Sequence, residues 1–345
     1  MPQCTPILLM VSGGSDSTAL LELAALHAAG QEPAGAVGRK LGAMVAEVLP
    51  EPERCELAVL HVNHLLRGED SDGDEAFVAR LCGELNIPCA VHRVDVAALA
   101  ASGGEGMEAT ARAERYRLAD LELAALEQRA SAAPGSGIVL TAHTVDDRVE
   151  TFLMRALVGT GPGGLASIPR QRGSIRRPLL DATRQELRDF LAEQHPGPGE
   201  GELWREDATN DDGSNFRSKV RTRLVPVMRD LQPGFERNLV RTMDLIAEED
   251  AARSSAAQGI VYRNLSWDGE TAVLPLAAIA SLEAPLARRV LRQCLLVVNP
   301  DARLESAQID RILAAAGRGG SFAVDVDSGI RVNGDGEAVK MRSLR

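Results

Sequence analysis

The sequence has 345 residues, of which 45% are hydrophobic and 25% charged, which is typical of a globular protein long enough for two domains. No apolar run approaches the length of a membrane span, and no basic start precedes an apolar signal core, so we expect a cytoplasmic protein outside the membrane. The net charge of −11, taken alone, argues against a nucleic-acid partner because phosphates attract basic surfaces.

Strand and helix patterns alternate through the first half of the chain. Continuous apolar runs predict buried strands, and apolar residues at helical spacing predict the helices between them. The predicted strands are 7–11, 57–62, 88–94 and 138–142, and the predicted later helices are 74–85, 108–128 and 146–158. This alternation predicts an α/β fold with a doubly wound parallel sheet.

The loop SGGSDS, residues 12–17, lies between the first strand and the first helix. A helix N-terminus attracts anions because it carries unpaired N–H groups and a partial positive charge. Glycines let the backbone approach a phosphate, serine hydroxyls add donors, and Asp16 suits a Mg²⁺ ion between it and the phosphates. The loop lacks the GxxxxGK[ST] pattern of a Walker loop. The alternative is a serine-capped helix after a glycine turn.

The remaining chain predicts an insertion and a second domain. Residues 31–54 are rich in glycine, proline and glutamate and predict a surface insertion with one short helix over 40–49. After about residue 235 the patterns predict helices over 238–252, 285–298 and 305–316, followed by strands with Asn-Gly and Asp-Gly turns. We therefore expect one domain over 1–235 and a smaller C-terminal α+β domain over 236–345.

Three polar motifs begin where predicted strands end, which is where ligands bind in open parallel sheets. They are the loop 12–17, the segment 61–67 and the segment 143–150. In the last of these, His143 follows a strand, and Asp147 and Glu150 share one face of the next helix. Acids at that position also stabilise a helix N-terminus as plain capping charges, which is the alternative interpretation.

Basic residues are concentrated despite the negative total charge, and phosphate binding depends on such local fields. Between Asn215 and Arg241 the cations are Arg217, Lys219, Arg221, Arg223, Arg229, Arg237 and Arg241. This pattern indicates either an RNA-binding face or solvated helix faces. The five cysteines form no CxxC pair, which argues against a disulfide framework, a zinc site and an iron–sulfur cluster.

Six motifs then occur in a fixed order: SGGSDS, HVNHLLRG, EATARAERYR, AHTVDDRVETFLMRALVGTG, RPLL and WREDATN. Together they resemble the tRNA(Ile)-lysidine synthetase family, part of the PP-loop group of ATP pyrophosphatases. The resemblance covers roughly residues 7–233, and the tail 285–345 is similar, more weakly, to the family's first C-terminal domain. SGGxDS alone marks the wider group, whereas HVNH-LRG with AH-x-x-DD-x-x-ET and RPLL marks the lysidine branch.

The resemblance implies a PP-loop ATPase sheet and a ligase that forms a carbon–nitrogen bond. ATP would adenylate the 2-carbonyl oxygen of the wobble cytidine in a CAU anticodon, releasing pyrophosphate. L-lysine would then attack that ring carbon and release AMP, changing codon specificity from AUG to AUA. The implied partners are tRNA(Ile) with the CAU anticodon, L-lysine, ATP and Mg²⁺, and the family resemblance also favours a homodimer.

The resemblance also carries residue roles onto matching positions. The implied catalytic residues are Asp16, His143, Asp147 and Glu150. ATP and pyrophosphate binding falls to Ser12, Gly13, Gly14, Ser15, Asp16, Ser17 and Arg112, with Mg²⁺ at Asp16. Lysine binding falls to Asp147, Glu150 and Arg115, and tRNA binding to Arg177, Arg205, Arg217, Lys219 and Arg221. His143 either accepts the proton of the lysine amine or stabilises the adenylate, and both roles stay open.

Two rival interpretations belong to other functional classes. A PP-loop thiolase would need a persulfide cysteine or a cysteine-held cluster, and neither Cys82 nor Cys89 falls at a predicted strand end. An ATP-binding sensor with a regulatory tail would need neither His143 nor the acids after it.

Overall fold

The computed structural model describes residues 4–103, 106–196, 202–206, 215–300, 302, 304–326 and 329–344. Residues 207–210 of the motif WREDATN lie outside these ranges. The chain divides into two compact units, Met1–Met243 and Asp244–Arg345. No described helix combines the length and apolarity that crossing a bilayer requires.

A mostly parallel sheet forms the centre of the first unit. Its described strands are β1 (Thr5–Met10), β2 (Cys55–Asn63), β3 (Cys89–Arg93), β4 (Ile138–Leu140), β5 (Gln171–Arg172) and β6 (Ile175–Arg176). Their order is β3-β2-β1-β4-β6-β5, and only the β5–β6 pair is antiparallel. β1 pairs in parallel with β2 on one side and β4 on the other, which confirms the predicted doubly wound α/β class.

Helices connect these strands and cover both faces of the sheet. They are α1 (Ser15–Ala28), α2 (Gly35–Ala46), α3 (Glu69–Glu84), α4 (Val96–Gly103), α5 (Met107–Arg129), α6 (Val145–Val158), α7 (Pro162–Leu165), α8 (Arg184–Gln194), α9 (Phe216–Lys219), α10 (Val225–Leu231) and α11 (Phe235–Asn264). A π-helical turn over Val220–Leu224 joins α9 to α10.

The core of the first unit follows the alternation of side chains along β1. Ile7 and Leu9 face a core shared with α1, α2, α3 and α8, whereas Leu8 faces Leu118 and Leu123 of α5. Fully burying one such side chain contributes about 1.5–3 kcal/mol to folding. β1 is therefore held from both faces and both edges, and the loop that follows it has a rigid support.

The segment 31–54 is not the surface insertion that its composition predicts. It contains α2, which begins earlier than the predicted helix and buries Leu41 and Val45 completely. These two residues stand four apart on one helix face and pack into the main core with Phe190 of α8. The sequence analysis did not identify this short apolar stripe because the segment as a whole is rich in glycine, proline and glutamate.

The second unit has an antiparallel sheet and its own core. Its strands are β7 (Ser266–Asp268), β8 (Thr271–Pro275), β9 (Ser321–Val326), β10 (Ile330–Asp335) and β11 (Ala338–Ser343), in the order β7-β8-β11-β10-β9. The helices are α12 (Ala277–Ala280), α13 (Ala284–Val298) and α14 (Ser306–Gly317). The helices predicted over 285–298 and 305–316 and the terminal strands are present. α11 extends beyond the predicted 238–252 because Ala257 and Val261 join this core.

Candidate active site

The loop SGGSDS follows β1 and leads into α1. Gly13 has a φ of +94°, a region that favours glycine, and a Cβ there would lie 3.5 Å from Cγ2 of Val78. The Ser12 N–H donates to Ser17 Oγ at 3.2 Å, and Ser17 Oγ donates to the Gly14 carbonyl at 3.0 Å. These bonds hold the loop in one compact conformation at the start of the helix.

No described side chain caps the N-terminus of α1, where Gly14 is the N-cap residue. The first N–H groups of a helix have no partner within the helix and carry a partial positive charge. A helix of 14 residues that begins in a glycine-containing turn is therefore suited to an anion such as a phosphate.

Asp16 lies in the first turn of α1 and is paired with an arginine from a distant part of the chain. Its Oδ2 accepts from Arg184 Nε at 3.2 Å, and its Oδ1 accepts from Ser15 Oγ at 3.1 Å. Burial raises the pKa of Asp16, and the nearby Asp147 raises it further, while Arg184 partly offsets both effects. The site thus holds two carboxylates close enough to oppose each other's ionisation.

Asp147 has a structural contact and two charged contacts. Its Oδ2 accepts from the Thr144 backbone N–H at 2.9 Å, closing a capping box at the start of α6. Its Oδ1 accepts from Arg217 Nη2 at 2.9 Å and lies 3.7 Å from Arg184 Nη2. Burial opposes ionisation of Asp147, but Arg217, His143 and the Thr144 N–H outweigh it and lower the pKa. Oδ2 of Asp147 therefore caps the helix, as the alternative interpretation predicts, whereas Oδ1 contacts the arginines of the site.

Glu150 is the most buried acid of the site, with a side chain 3% exposed. Its Oε2 accepts from Arg217 Nε at 2.7 Å, and its Oε1 accepts from Arg221 Nε at 2.6 Å. Arg217 and Arg221 lie on α9 and the π-helical turn, whose local geometry places both guanidinium groups towards α6. Three carboxylates and three guanidinium groups thus balance in charge across Asp16, Asp147, Glu150, Arg184, Arg217 and Arg221.

His143 follows β4 at the edge of this network. Its Nδ1 lies 3.0 Å from Thr141 Oγ1. Burial lowers the pKa of His143 to about 4; Asp147 opposes this shift, while Arg177, Arg112 and Arg217 add to it. The imidazole is therefore neutral at pH 7.

The shifted pKa of His143 predicts a pH dependence of stability. The unfolded chain binds a proton near pH 6.5, whereas the folded chain binds it only near pH 4, so stability falls as the pH drops through this window. His143→Gln removes that proton uptake. As the pH falls through this window, the free energy of unfolding of the variant should fall less than that of the wild-type protein. The difference between the two slopes should be about 1 kcal/mol for each pH unit. Urea unfolding at pH 7 and pH 5 measures this difference.

Thr141→Val is the matched control, since it removes the contact to the imidazole but keeps the histidine. It should retain most of the wild-type dependence on pH. Equal slopes for His143→Gln and the wild-type protein would contradict the assignment of the low pKa to His143.

The two arginines of α5 that were predicted to bind substrates lie in different surroundings. Arg112 is exposed, and its guanidinium lies 5.0 Å from the Tyr116 ring centre. Arg115 neighbours His64, and burial together with Arg115 and His61 lowers the pKa of His64 to about 4. Arg115 therefore lies beside the HVNH motif, and its predicted role in lysine binding stays a prediction.

The residues predicted to bind tRNA are divided by the fold. Arg205 donates from its backbone N–H to the Gly13 carbonyl at 2.9 Å and from Nε to Asp74 at 3.1 Å, so it supports the SGGSDS loop. Arg177 is 4% exposed and donates to the Pro169 carbonyl. Lys219 is exposed. Arg217 and Arg221 contact acids rather than facing solvent freely, so any contact with phosphate would compete with Glu150.

Residues 3–228 match the sequence profile of a protein family described as the PP-loop domain. This match covers more than half of the chain. The chain belongs to the PP-loop family.

Relatives of this PP-loop protein carry a common name. Proteins named tRNA(Ile)-lysidine synthase are 36% identical over 303 residues in Thermus thermophilus and 38% identical over 251 residues in Deinococcus radiodurans. These alignments cover 87% and 73% of this chain but only 50% and 36% of the relatives. A third, from Chlorobaculum tepidum, is 35% identical over 70% of this chain and 61% of that protein. The chain spans about half the length of these relatives.

Arg184 belongs to the PP-loop site, although the sequence analysis did not identify it as a site residue. Arg184 connects the loop to α6, because it contacts Asp16 and Asp147 and donates its backbone N–H to Asp146 Oδ2 at 2.8 Å. The signal was available in TRQE, a capping box at the start of α8, where the Thr183 hydroxyl accepts from the Glu186 N–H. A helix that begins directly after the RPLL motif places its first arginine at the same edge of the sheet.

The PP-loop site also allows a test of the expected magnesium ion. In the described ranges, no three metal-ligating side chains gather into a preformed site. Mg²⁺ is nevertheless often held by one or two carboxylates together with substrate phosphates. Asp16 fits this pattern, because its carboxylate lies at the start of α1 beside the loop and is balanced by one guanidinium group. The residues therefore suit a magnesium ion that arrives with a polyphosphate.

Proposed function

We propose that this chain is a tRNA(Ile)-lysidine synthase, which uses ATP to join lysine to the 2-carbon of the wobble cytidine in a CAU anticodon. The observation that carries the proposal is the position of Arg184. Its guanidinium lies 3.2 Å from Asp16 of the SGGSDS loop and 3.7 Å from Asp147 of α6. The loop to which we assign phosphate binding and the acids to which we assign amine binding are therefore connected by one side chain, and the relatives with that name support the same chemistry.

The first step activates a poor electrophile. The 2-carbonyl oxygen of cytidine attacks the α-phosphorus of ATP, an adenylate ester forms, and pyrophosphate leaves. The N-terminus of α1 and the serines of the loop would stabilise the charge that develops on the leaving group. Asp16 would hold a Mg²⁺ ion that offsets the same charge.

The second step needs a neutral amine. The lysine side chain has an unperturbed pKa of about 10.4, so at pH 7 only about one molecule in a thousand is uncharged. The free amine attacks the 2-carbon, AMP leaves, and a proton must go to a base. His143 is neutral at pH 7 and can accept it, and the negative adenylate phosphate would raise the basicity of the imidazole. Burial opposes the protonated ring in this role as well, so proton acceptance depends on the adenylate phosphate, whereas the neutral ring can already donate an N–H to that phosphate.

The acids of α6 suit the cationic substrate. Glu150 and Asp147 provide carboxylate oxygens in a buried environment, where attraction to an ammonium group is stronger than in water. Both acids are balanced by arginines in the free protein, so lysine would share or replace guanidinium contacts.

The test is incorporation of labelled lysine into two transcripts in the presence of ATP and Mg²⁺. One transcript is an isoleucine tRNA with the CAU anticodon, and the control is the initiator methionine tRNA with the same anticodon. We expect label in the first transcript alone, with one AMP released for each lysine joined. Absence of label from both transcripts, with ATP still bound, would overturn the proposed substrates.

The exposed cations at the end of α9 and in the π-helical turn after it should contribute to RNA binding. Lys219 and Arg223 are both exposed, so phosphates can reach them without breaking a buried ion pair. A Lys219→Gln, Arg223→Gln double variant should bind tRNA more weakly and lower the slope of log affinity against log salt by roughly 1.5. Filter binding between about 50 and 200 mM salt measures this slope. An unchanged slope would place the RNA elsewhere.

A further inference from the structure

Two cysteines, Cys82 and Cys89, lie side by side where α3 leads into β3. Cys82 is 1% exposed near the end of the helix, and Cys89 is partly exposed at the start of the strand. Both pack against the same core cluster, and their thiols hydrogen-bond to each other. Since β3 is an edge strand of the sheet, a small solute can reach Cys89 from solvent.

The sequence between the two cysteines fixes their relative position. α3 ends in a Schellman motif, in which Asn86 adopts a φ of +54° and the Ile87 N–H donates to the Cys82 carbonyl at 2.9 Å. Pro88 then restricts the backbone, and its carbonyl accepts from the Val59 N–H of β2 at 2.8 Å. The turn is thus anchored to the helix on one side and to the sheet on the other, and the folded chain holds the two thiols together.

The two thiols differ in reactivity. The hydrogen bond with Cys82 lowers the pKa of Cys89, although burial opposes this shift. The same hydrogen bond, together with burial, raises the pKa of Cys82, which stays a neutral thiol. Because the thiolate is the nucleophile, Cys89 is the sulfur that attacks an oxidant, and Cys82 is the sulfur that reacts second.

A second pair of neighbouring cysteines lacks this property. Cys4 precedes β1, and Cys55 begins β2 in register with Thr5. Burial, Glu53 and Cys4 raise the pKa of Cys55 to about 11, so this thiol is almost fully protonated at pH 7. Its Sγ donates to the Pro50 carbonyl at 3.5 Å. Cys55 is therefore a poor nucleophile and serves as a control for the pair at the end of α3.

We propose that Cys82 and Cys89 form a reversible disulfide when the protein meets a peroxide, and that this bond acts on the SGGSDS loop through α3. The Cys89 thiolate attacks one peroxide oxygen, the O–O bond breaks, and the sulfur becomes a sulfenic acid while hydroxide leaves and is protonated to water. The Cys82 sulfur then attacks the sulfenic sulfur, the S–O bond breaks, and the Cys82 proton leaves with the oxygen as a second water. Two electrons pass from the two thiols to the peroxide, and dithiothreitol reverses the reaction by thiol–disulfide exchange.

One face of α3 connects the thiol pair to the loop. Asp74, Val78 and Cys82 are spaced four apart and therefore lie on the same helix face. Asp74 accepts from Arg205 Nε at 3.1 Å, and the Arg205 backbone N–H donates to the Gly13 carbonyl at 2.9 Å. Val78 is fully buried and packs beside Gly13 itself. The helix face that carries Cys82 thus supports the loop at two points.

Forming the disulfide must move this face. A disulfide bond is only about 2.05 Å long, which is shorter than a hydrogen bond, so the two sulfurs have to approach each other. Protein cores are close-packed and transmit such shifts, because there is little empty space to absorb them. Movement at Cys82 therefore reaches Val78, one turn earlier, and the loop that Val78 contacts. The inference depends on ATP binding by the PP-loop domain and not on the proposed reaction with lysine.

The test starts from the full chain treated with hydrogen peroxide at pH 7. The remaining thiols are alkylated, and trypsin, which cleaves after Arg80 and Arg93, places both cysteines in the single peptide Leu81–Arg93. We expect this peptide to lose two hydrogens and to escape alkylation, and dithiothreitol to restore both thiols. ATP binding to the oxidised protein, measured by calorimetry, should be weaker by about five-fold or more and should recover on reduction.

Three variants separate the roles of the sulfurs. Cys89→Ser should leave Cys82 reduced, and peroxide should then leave the affinity for ATP unchanged. Cys82→Ala keeps the attacking sulfur but removes its partner, so a sulfenic acid that dimedone traps should accumulate at Cys89. Cys55→Ser is the matched control, because it removes a thiol outside the pair and should form the disulfide as the wild-type protein does.

Two results would overturn the inference. If the peptide Leu81–Arg93 stays reduced while other thiols are oxidised, the two cysteines are not a redox site. If the disulfide forms but the affinity for ATP does not change, the bond does not act on the loop. Neither result bears on incorporation of lysine into the isoleucine transcript, which tests the proposed function separately.

Discussion

Asp16→Asn is expected to lower ATP-dependent pyrophosphate release by at least about a hundred-fold. The change keeps the shape of the side chain but removes the charge that faces Arg184 and would hold a magnesium ion. The change also removes the attraction between Arg184 and the loop but keeps the attraction between Arg184 and Asp147. We therefore expect the arginine to move away from the loop. Pyrophosphate release and the magnesium dependence of ATP binding are the two measurements.

Asp70→Asn is the matched control for this variant. Asp70 lies in the first turn of α3, as Asp16 lies in the first turn of α1, but it is exposed. Near-wild-type turnover of Asp16→Asn would remove the basis for assigning the SGGSDS loop to phosphate binding. A similar loss in Asp70→Asn would indicate a general effect on helix N-termini instead.

Glu150→Gln is expected to affect both stability and activity. It leaves Arg217 and Arg221 partly buried without their shared carboxylate, and breaking a buried ion pair from one side destabilises by about 3 kcal/mol. Under the proposed reaction it also removes the acid that receives the lysine ammonium, so incorporation should be lost. Urea unfolding and labelled-lysine incorporation measure the two effects.

A second variant separates these effects. Adding Arg221→Gln to Glu150→Gln removes one of the guanidinium groups that faced the lost carboxylate and should recover part of the lost stability, because neutral amides can hydrogen-bond to each other. It should not recover incorporation. If activity returned together with stability, Glu150 would have only a structural role.

The sheet and the loop could be predicted because their signals are local. The apolar run at Ile7–Val11 and the polar SGGSDS that follows both lie within a few residues, and sheet topology places such loops at one edge. The same reasoning correctly placed His143 after β4 and Asp147 at the start of α6.

Contacts between distant segments could not be predicted in this way. The cation pattern predicted an RNA-binding face or solvated helix faces, and the family resemblance implied tRNA binding by Arg217 and Arg221. Neither predicts that the fold pairs both arginines with Glu150, which lies 67 and 71 residues earlier. Charge patterns show where cations are concentrated but not which acid lies opposite them. The burial of α2 was missed for a related reason, since only its packing against α8 shows that Leu41 and Val45 are internal. The catalytic and binding roles of the site residues stay predictions.

Among the described residues, each side-chain ion pair with Asp16, Asp147 or Glu150 is made by an arginine. A guanidinium group stays protonated at any physiological pH and has no free electron pair with which to attack an electrophile, unlike a lysine amine. In the proposed reaction this choice protects the protein from its own intermediate. A lysine at position 184 or 217 would bring a second amine next to an activated cytidine, and the protein would become covalently attached to the RNA. Under the proposed reaction, a site that uses lysine as a reactant is thus lined by the cation that cannot compete with it.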